Sequence, residues 1–120
     1  MYKPEQLLIF TTCPDADIAC RIATALVEAK LAACVQIGQA VESIYQWDNN
    51  ICQSHEVPMQ IKCMTTDYPA IEQLVITMHP YEVPEFIATP IIGGFGPYLQ
   101  WIKDKKKKKK NSLPYALHHC

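Results

Sequence analysis

The amino-acid sequence predicts a small α+β domain in which helices pack on an antiparallel sheet. The chain has 120 residues, the length of one domain. Segments with the alternating apolar pattern of strands are interspersed with two segments of helical periodicity. Hydrophobic residues make up 49% and charged residues 19% of the chain, an ordinary globular balance that argues against a disordered or fibrous protein.

The first strand and the first helix are predicted from the opening 30 residues. Residues 7–13 begin with four consecutive apolar side chains, which suits a strand buried on both faces. Asp15 is a good helix N-cap, and apolar residues then recur at helical spacing. We therefore expect an amphipathic helix over residues 16–30.

A long hairpin is predicted next. Residues 32–48 and 51–65 alternate as strands, and Asn49-Asn50 can supply the positive φ angles of the turn between them. Arms of about 15 residues are about 50 Å long when extended, whereas strands in small domains usually have about 5–6 residues. Two helices cannot cover this surplus, so we expect obligate self-association. The alternative is a hairpin bent back onto its own domain.

The second half of the chain is predicted to contain a helix, a short strand and a terminal helix. Thr66-Asp67 begins the helix and Pro80 stops it. Residues 83–90 form the last strand, and Gly96-Pro97 opens the terminal helix. The resulting order, β-α-β-β-α-β plus a helix, predicts a ferredoxin-like arrangement with both main helices on one face of the sheet.

The charge pattern and the apolar runs exclude several classes of protein. Lys105–Lys110 hold six of the eleven basic side chains, so residues 1–104 carry five basic against twelve acidic groups, a balance of −7. An acidic body offers nucleic acid no basic surface. The sequence has no apolar run long enough to span a membrane and no signal peptide, so we expect a cytoplasmic protein that binds neither nucleic acid nor membrane.

Sequence motifs give little support for an enzyme. The six cysteines are widely spaced without a CxxC pair, which favours reduced thiols over a disulfide scaffold. The chain has no glycine-rich phosphate loop, no GxSxG and no HExxH motif. A Cys–His nucleophilic pair is the remaining alternative, but no sequence feature selects one cysteine for it. We therefore expect no catalytic residues and no organic cofactor.

The segment 79–85 (HPYEVPE) is the candidate metal-binding element. Its two prolines stiffen the backbone, so it presents His79, Glu82 and Glu85 at fixed offsets. Imidazole with carboxylate suits copper, zinc or nickel rather than calcium. Met78, Cys13, water or a neighbouring subunit would have to complete the coordination.

Structural roles compete with the metal hypothesis at these residues. A histidine at a helix C-terminus is favoured by the helix dipole alone. Glu85 can be an exposed strand residue or part of an interface. Met78 lies on the apolar stripe of the second helix, which favours a core position. The aromatic residues Tyr45, Trp47 and Tyr81 are more typical of an interface than of a ligand cage.

Three sequence blocks closely resemble the CutA family of divalent-cation tolerance proteins. The blocks are residues 25–35 (ALVEAKLAACV), 43–47 (SIYQW) and 79–85 (HPYEVPE), in the family's order and spacing. The resemblance extends over about residues 6–104. It implies a ferredoxin-like subunit, a tight homotrimer in which long hairpins build sheets between subunits, and binding of copper.

The resemblance also implies a set of copper ligands: a first-strand cysteine, a histidine at the end of the second helix, and the last glutamate of the HPYE-x-PE block. The glutamate falls on Glu85. The cysteine position is occupied by Thr11, with Cys13 two residues later on the same face, and the histidine position by Met78, next to His79. A Met78–His79–Glu85 cluster would therefore differ from the family's proposed site.

Two hypotheses follow for a single domain over residues 1–104. The first is a non-enzymatic homotrimer that binds divalent transition-metal ions, copper above all, and contributes to metal tolerance. The second is a trimeric small-ligand or signalling protein similar to the PII proteins, or an assembly protein without a metal role, with an unidentified protein partner. Residues 105–120, a Lys-rich tail that departs from the family, are expected to be flexible.

Overall fold

The computed structural model describes residues 4–107 and shows an α+β domain with an antiparallel sheet and three helices. No helix in this part of the chain is long and apolar enough to cross a membrane. In chain order the elements are β1 (Gln6–Cys13), α1 (Ala16–Glu28), β2 (Cys34–Ile37), β3 (Val41–Trp47), β4 (Asn50–Met64), α2 (Tyr68–Met78), β5 (Phe86–Pro90) and α3 (Gly96–Lys107).

The sheet is organised around β4, which is 15 residues long. Residues 57–64 of β4 pair with β1 on one edge, and residues 59–62 pair with β2 on the other. The distal residues 50–56 pair with β3 alone. β5 pairs with the free edge of β1, which gives the strand order β2-β4-β1-β5.

A bulge separates β2 from β3. Ile37 is opposite Met59 and Val41 is opposite Glu56. The three residues 38–40 between β2 and β3 therefore face only two residues of β4, 57 and 58. The backbone N–H of Gly38 donates to the carbonyl of Pro58 at 2.8 Å, which keeps the two backbone segments paired across the bulge. An extra residue of this kind bends and twists a strand. Pro58, which has no backbone N–H to donate to a strand partner, lies at this bulge.

The core lies between the sheet and helices α1 and α2. Ile9 and Ile61 of the central strands belong to one buried cluster with Ile22 and Leu26 of α1 and Ile71 of α2, and all five are fully buried. The Asp15 carboxylate accepts a hydrogen bond from the N–H of Ile18 at 2.8 Å, which confirms the predicted N-cap of α1. The two helices thus cover the proximal half of the sheet.

Several predicted boundaries are wrong by a few residues. The strand expected over 32–48 is divided into β2 and β3 by the bulge. Positive φ angles occur at Asp48 (53°) and Asn49 (64°), so the turn precedes Asn50, which already belongs to β4. β5 begins at Phe86 rather than at 83, because the Pro-containing segment before it forms a loop.

The terminal helix α3 ends at Lys107. Ile102 of this helix is buried, whereas Leu99 and Trp101 are half-buried. The prediction of a flexible tail falls mainly on residues 108–120, outside the described residues.

Burial in α1 predicts contrasting effects for two adjacent substitutions. Leu26→Ala should lower the free energy of unfolding by about 2–5 kcal/mol, because Leu26 is fully buried and its removal leaves a cavity. Val27→Ala, at a side chain that is 44% exposed, should change it by about 0.5 kcal/mol or less. Guanidinium unfolding at one fixed protein concentration measures both, and equal effects would contradict the described packing.

Candidate functional site

A cavity of about 590 Å³ lies between the β3–β4 hairpin and the loop that precedes β5. Three carboxylates line it, from Glu56, Glu82 and Glu85, and so do three aromatic rings, from Tyr45, Trp47 and Tyr81. Hydroxyl groups of Thr12 and Ser43 also reach it. The cavity combines apolar walls with a few converging polar groups, which is typical of small-molecule sites.

His79 anchors the loop to the end of β1. Its Nε2 lies 2.7 Å from the carbonyl oxygen of Thr12, and the backbone N–H of Tyr81 donates to its Nδ1 at 3.1 Å. A carbonyl only accepts and a backbone N–H only donates, so the ring is neutral with its proton on Nε2. The imidazole is buried and also packs on the Tyr81 ring, with 4.8 Å between centroids.

A second anchor joins Glu85 to β1. The hydroxyl of Thr11, which is buried, donates to the backbone carbonyl of Glu85 at 2.6 Å. The Glu85 backbone is therefore fixed, while its side chain is exposed and faces the cavity. The Thr11 side chain thus positions the loop before β5.

Glu56 is the most strongly held carboxylate of the cavity. The Ser43 hydroxyl donates to its Oε1 at 3.1 Å, and the side chain is half-buried. Burial, and then the negative charge of Glu56, raise the pKa of Tyr81, so the phenol lies within range of this carboxylate and remains protonated.

Cys13 is fully buried, and its thiol donates to the Met59 thioether at 3.5 Å. Burial raises the pKa of the Cys13 thiol to about 11, and the charges of Asp15 and Glu56 act in the same direction. The thiolate is the form that binds metals and attacks electrophiles, so this cysteine is poorly suited to either role at neutral pH. Cys13, Cys34, Cys52 and Cys63 are free thiols, as expected. Cys20 is disulfide-bonded, so the expectation of reduced thiols is wrong at that residue.

The structure does not bring the four predicted metal ligands together. Only Glu85 lines the cavity, while both nitrogens of His79 are hydrogen-bonded elsewhere and Cys13 is enclosed in the core. Met78 is 39% exposed at the end of α2, so its predicted core position is wrong for the single chain. Residues 4–107 contain no group of three or more His, Cys, Asp or Glu side chains arranged to hold a metal ion.

Sequence patterns missed Glu56 and Ser43 as site residues. Both belong to the hairpin, and Ser43 pairs with Ser54, close to Glu56 on the neighbouring strand. Their relation to the loop around Tyr81 arises only from the fold. The sequence block SIYQW, one of the three that carry the family resemblance, could have indicated part of the site, because it contains Ser43 and two of the aromatic residues of the cavity.

Comparison with known proteins assigns the family. The model of the CutA1 divalent ion tolerance proteins matches residues 7–105. The chain belongs to the CutA1 family. Human Protein CutA is 42% identical over 104 residues, which cover 87% of this chain and 58% of the human protein. The divalent-cation tolerance protein CutA of Thermus thermophilus is 38% identical over 97 residues, 81% of this chain and 94% of that protein.

Solved CutA1 structures match the architecture. The CutA1 crystal structure from the psychrotrophic bacterium Shewanella sp. SIB1 has 96% sequence identity and a TM-score of 0.86, covering 89% of this chain and 100% of that one. The Thermus thermophilus structure has a TM-score of 0.79 at 38% identity, covering 81% of this chain and 94% of its own. The chain spans little more than half the length of the animal CutA relatives that it matches.

The hydrogen bonds of His79 predict a structural role that can be measured. His79→Ala should lower the free energy of unfolding by about 1–3 kcal/mol for each partner left unpaired, namely the Thr12 carbonyl and the Tyr81 N–H. His55→Ala, at an exposed position on β4, is the matched control and should change it little. Long-range ¹H–¹⁵N spectra should show the His79 proton on Nε2; a ring protonated on Nδ1 would contradict this assignment.

Proposed function

We propose that this CutA1 protein contributes to tolerance of divalent cations by binding transition-metal ions, and that it does so without catalysing a reaction. Family membership supports the link to cation tolerance. The observation that carries the proposal is that three carboxylate side chains, Glu56, Glu82 and Glu85, line the same cavity. Carboxylate oxygens attract and bind divalent cations.

The donor atoms at the cavity differ from the ligands predicted from sequence. The softer candidates predicted from sequence, Cys13 and His79, are occupied by buried hydrogen bonds. The donors at the cavity are therefore carboxylate oxygens and the free thiol of Cys52, which also lines it. Copper(II) is the strongest binder among divalent first-row metals at a given oxygen or nitrogen site, which keeps copper first among the candidates. Because three ligating side chains are not clustered within residues 4–107, water or groups of a neighbouring subunit would complete the coordination.

We further propose that the functional unit is a homotrimer of ferredoxin-like subunits. Large apolar side chains outside the cavity support association, since Ile51, Ile92 and Phe95 are 73%, 80% and 76% exposed in the single chain. Residues 50–56 of β4 have one paired edge only among the described strands. Apolar surface together with an open strand edge is the usual material of a subunit interface.

The remaining parts of the proposal concern location and the competing function. We propose that the protein is cytoplasmic. Relatives include proteins named as chloroplastic and periplasmic, so cell fractionation is the experiment that decides the location. The competing hypothesis includes a small-ligand role like that of the PII proteins. The cavity favours this role because it is large enough for an organic molecule.

Metal titration tests the proposed function. Copper(II) and zinc should bind, and Glu85→Gln should weaken binding about tenfold or more, because it removes a charged ligand worth at least about 1.4 kcal/mol. Glu72→Gln removes one charge from the exposed face of α2 and is the matched control. Calorimetry should be run on a background in which His118, His119 and Cys120 are replaced, which eliminates adventitious binding there.

Two results would count against metal binding at the cavity. An equal loss of metal affinity in Glu85→Gln and Glu72→Gln would indicate a general effect of the acidic surface rather than loss of a metal ligand. Unchanged affinity in Glu85→Gln would remove this carboxylate as a ligand.

Sedimentation velocity tests the assembly. The mass should be three times the 13.6 kDa of the chain and should persist on dilution to nanomolar protein. Ile51→Asp should shift the equilibrium toward smaller species, because it places a charge on an apolar surface that association would bury. Val27→Asp, also at a partly exposed apolar residue but on α1, is the control. A folded, stable single subunit at nanomolar concentration would refute the trimer.

A further inference from the structure

We propose that the cavity between the β3–β4 hairpin and the loop before β5 binds an organic ammonium ion, held against the rings of Tyr45, Trp47 and Tyr81 and beside the Glu56 carboxylate. The proposal goes beyond metal tolerance and does not depend on it. It concerns a different class of ligand at the same cavity, which would be held mainly by the aromatic rings and Glu56.

The walls of the cavity are aromatic and accessible. Tyr45, Trp47 and Tyr81 all line it and are 44%, 65% and 38% exposed, so none of the three rings is consumed by packing in the chain. Aromatic faces attract cations electrostatically, most strongly when the cation is poorly hydrated, as an alkylated ammonium is. A small, strongly hydrated metal ion gains little from such walls.

The charge of the cavity has one sign. Its acidic side chains are Glu56, Glu82 and Glu85, and no Lys, Arg or His of the described chain lines it. A neutral or anionic ligand would leave these carboxylates uncompensated, whereas an ammonium ion compensates them. The charge therefore selects cations, and the aromatic rings select organic ones.

Glu56 is prepared for this role before any ligand arrives. The Ser43 hydroxyl donates a hydrogen bond to the carboxylate and orients it, and the Tyr81 phenol lies within range of its charge. Tyr81 is itself fixed, because its backbone N–H donates to His79 and its ring packs on the imidazole. A held carboxylate next to a held aromatic ring lowers the cost of ordering the site on binding. His79 is thereby a positioning residue for this cavity.

The size of the cavity agrees with the proposed ligand. Its volume of about 590 Å³ falls within the range of about 300–1,000 Å³ that small-molecule sites occupy. A bare metal ion would leave most of this space to water. A compact alkylated ammonium group would contact several of the lining rings at once.

The test uses tetramethylammonium as the probe and the full chain in its native assembly, with EDTA present and ionic strength held constant. The indole N–H resonance of Trp47 should shift in a saturable manner in ¹H–¹⁵N spectra, while that of Trp101, which lies outside the cavity, should not. tert-Butanol, a neutral molecule of similar size, should produce no saturable shift at the same concentrations.

Two pairs of variants locate the site. Glu56→Gln should weaken binding about tenfold or more, equivalent to about 1.4 kcal/mol, whereas Glu28→Gln, which removes a charge from α1, should leave it unchanged. Trp47→Leu should weaken it about threefold or more, read from Tyr45 and Tyr81 resonances, whereas Trp101→Phe should not. Trp47 is largely exposed, so its replacement keeps the test informative if Glu56→Gln fails to fold.

Three outcomes would overturn the proposal: equal shifts with tert-butanol, equal weakening by Glu28→Gln and Glu56→Gln, or no saturable shift up to about 100 mM probe. The metal titration is independent of these results. Metal binding can fail while tetramethylammonium binds, and tetramethylammonium can fail to bind while metal affinity persists, so the two proposals are refuted by different observations.

Discussion

The pairing of β4 with three other strands determines the arrangement of the whole chain. Its proximal residues 57–64 lie between β1 and β2 in the centre of the sheet, and its distal residues 50–56 continue outward with β3 alone. β1 ends at Cys13, opposite Val57, so Glu56 is the first residue beyond the core sheet. The cavity lies at this boundary, where the β3–β4 hairpin extends past the end of β1 and the loop before β5 approaches the hairpin.

The end of β1 positions the loop through backbone groups. Thr11 donates its hydroxyl to the Glu85 carbonyl, and the Thr12 carbonyl accepts from the His79 imidazole. An imidazole has a donor and an acceptor on opposite sides of a rigid ring, so one side chain connects the strand to the loop. Buried polar groups that are fully paired specify a unique local geometry. The chemically accessible side chains are therefore carried on a segment that is fixed at both ends.

Local sequence patterns predicted the elements well where the signal itself is local. The apolar stripe and Asp15 cap predicted α1 within two residues at its C-terminal end, and the glycine–proline pair predicted the start of α3. The turn was misplaced by one residue, because Asp48 and Asn49 tolerate positive φ as readily as the Asn49-Asn50 pair does. The division into β2 and β3 went unseen, since one inserted residue changes the register without changing composition.

The candidate site was harder to predict because its parts meet only in three dimensions. Glu56 and Tyr81 line the same cavity although 25 residues separate them in the chain. Nothing near Glu56 in the sequence distinguishes it from an ordinary solvent-facing strand residue. The place of His79 in the segment 79–85 predicted that it lies near the site. Its two hydrogen-bond partners could be identified only from the three-dimensional structure. Trimer formation and metal binding remain predictions.

Gly38 and Pro58 meet at the bulge, and this contact has a consequence for how the sequence can vary. A Cβ atom on residue 38 would lie 3.2 Å from Cγ of Pro58, closer than an ordinary contact, and the proline ring has little freedom to withdraw. A larger residue at 38 therefore requires a smaller or more flexible one at 58. Among natural variants and in laboratory evolution, these two positions should change jointly, with each single exchange worse than the pair.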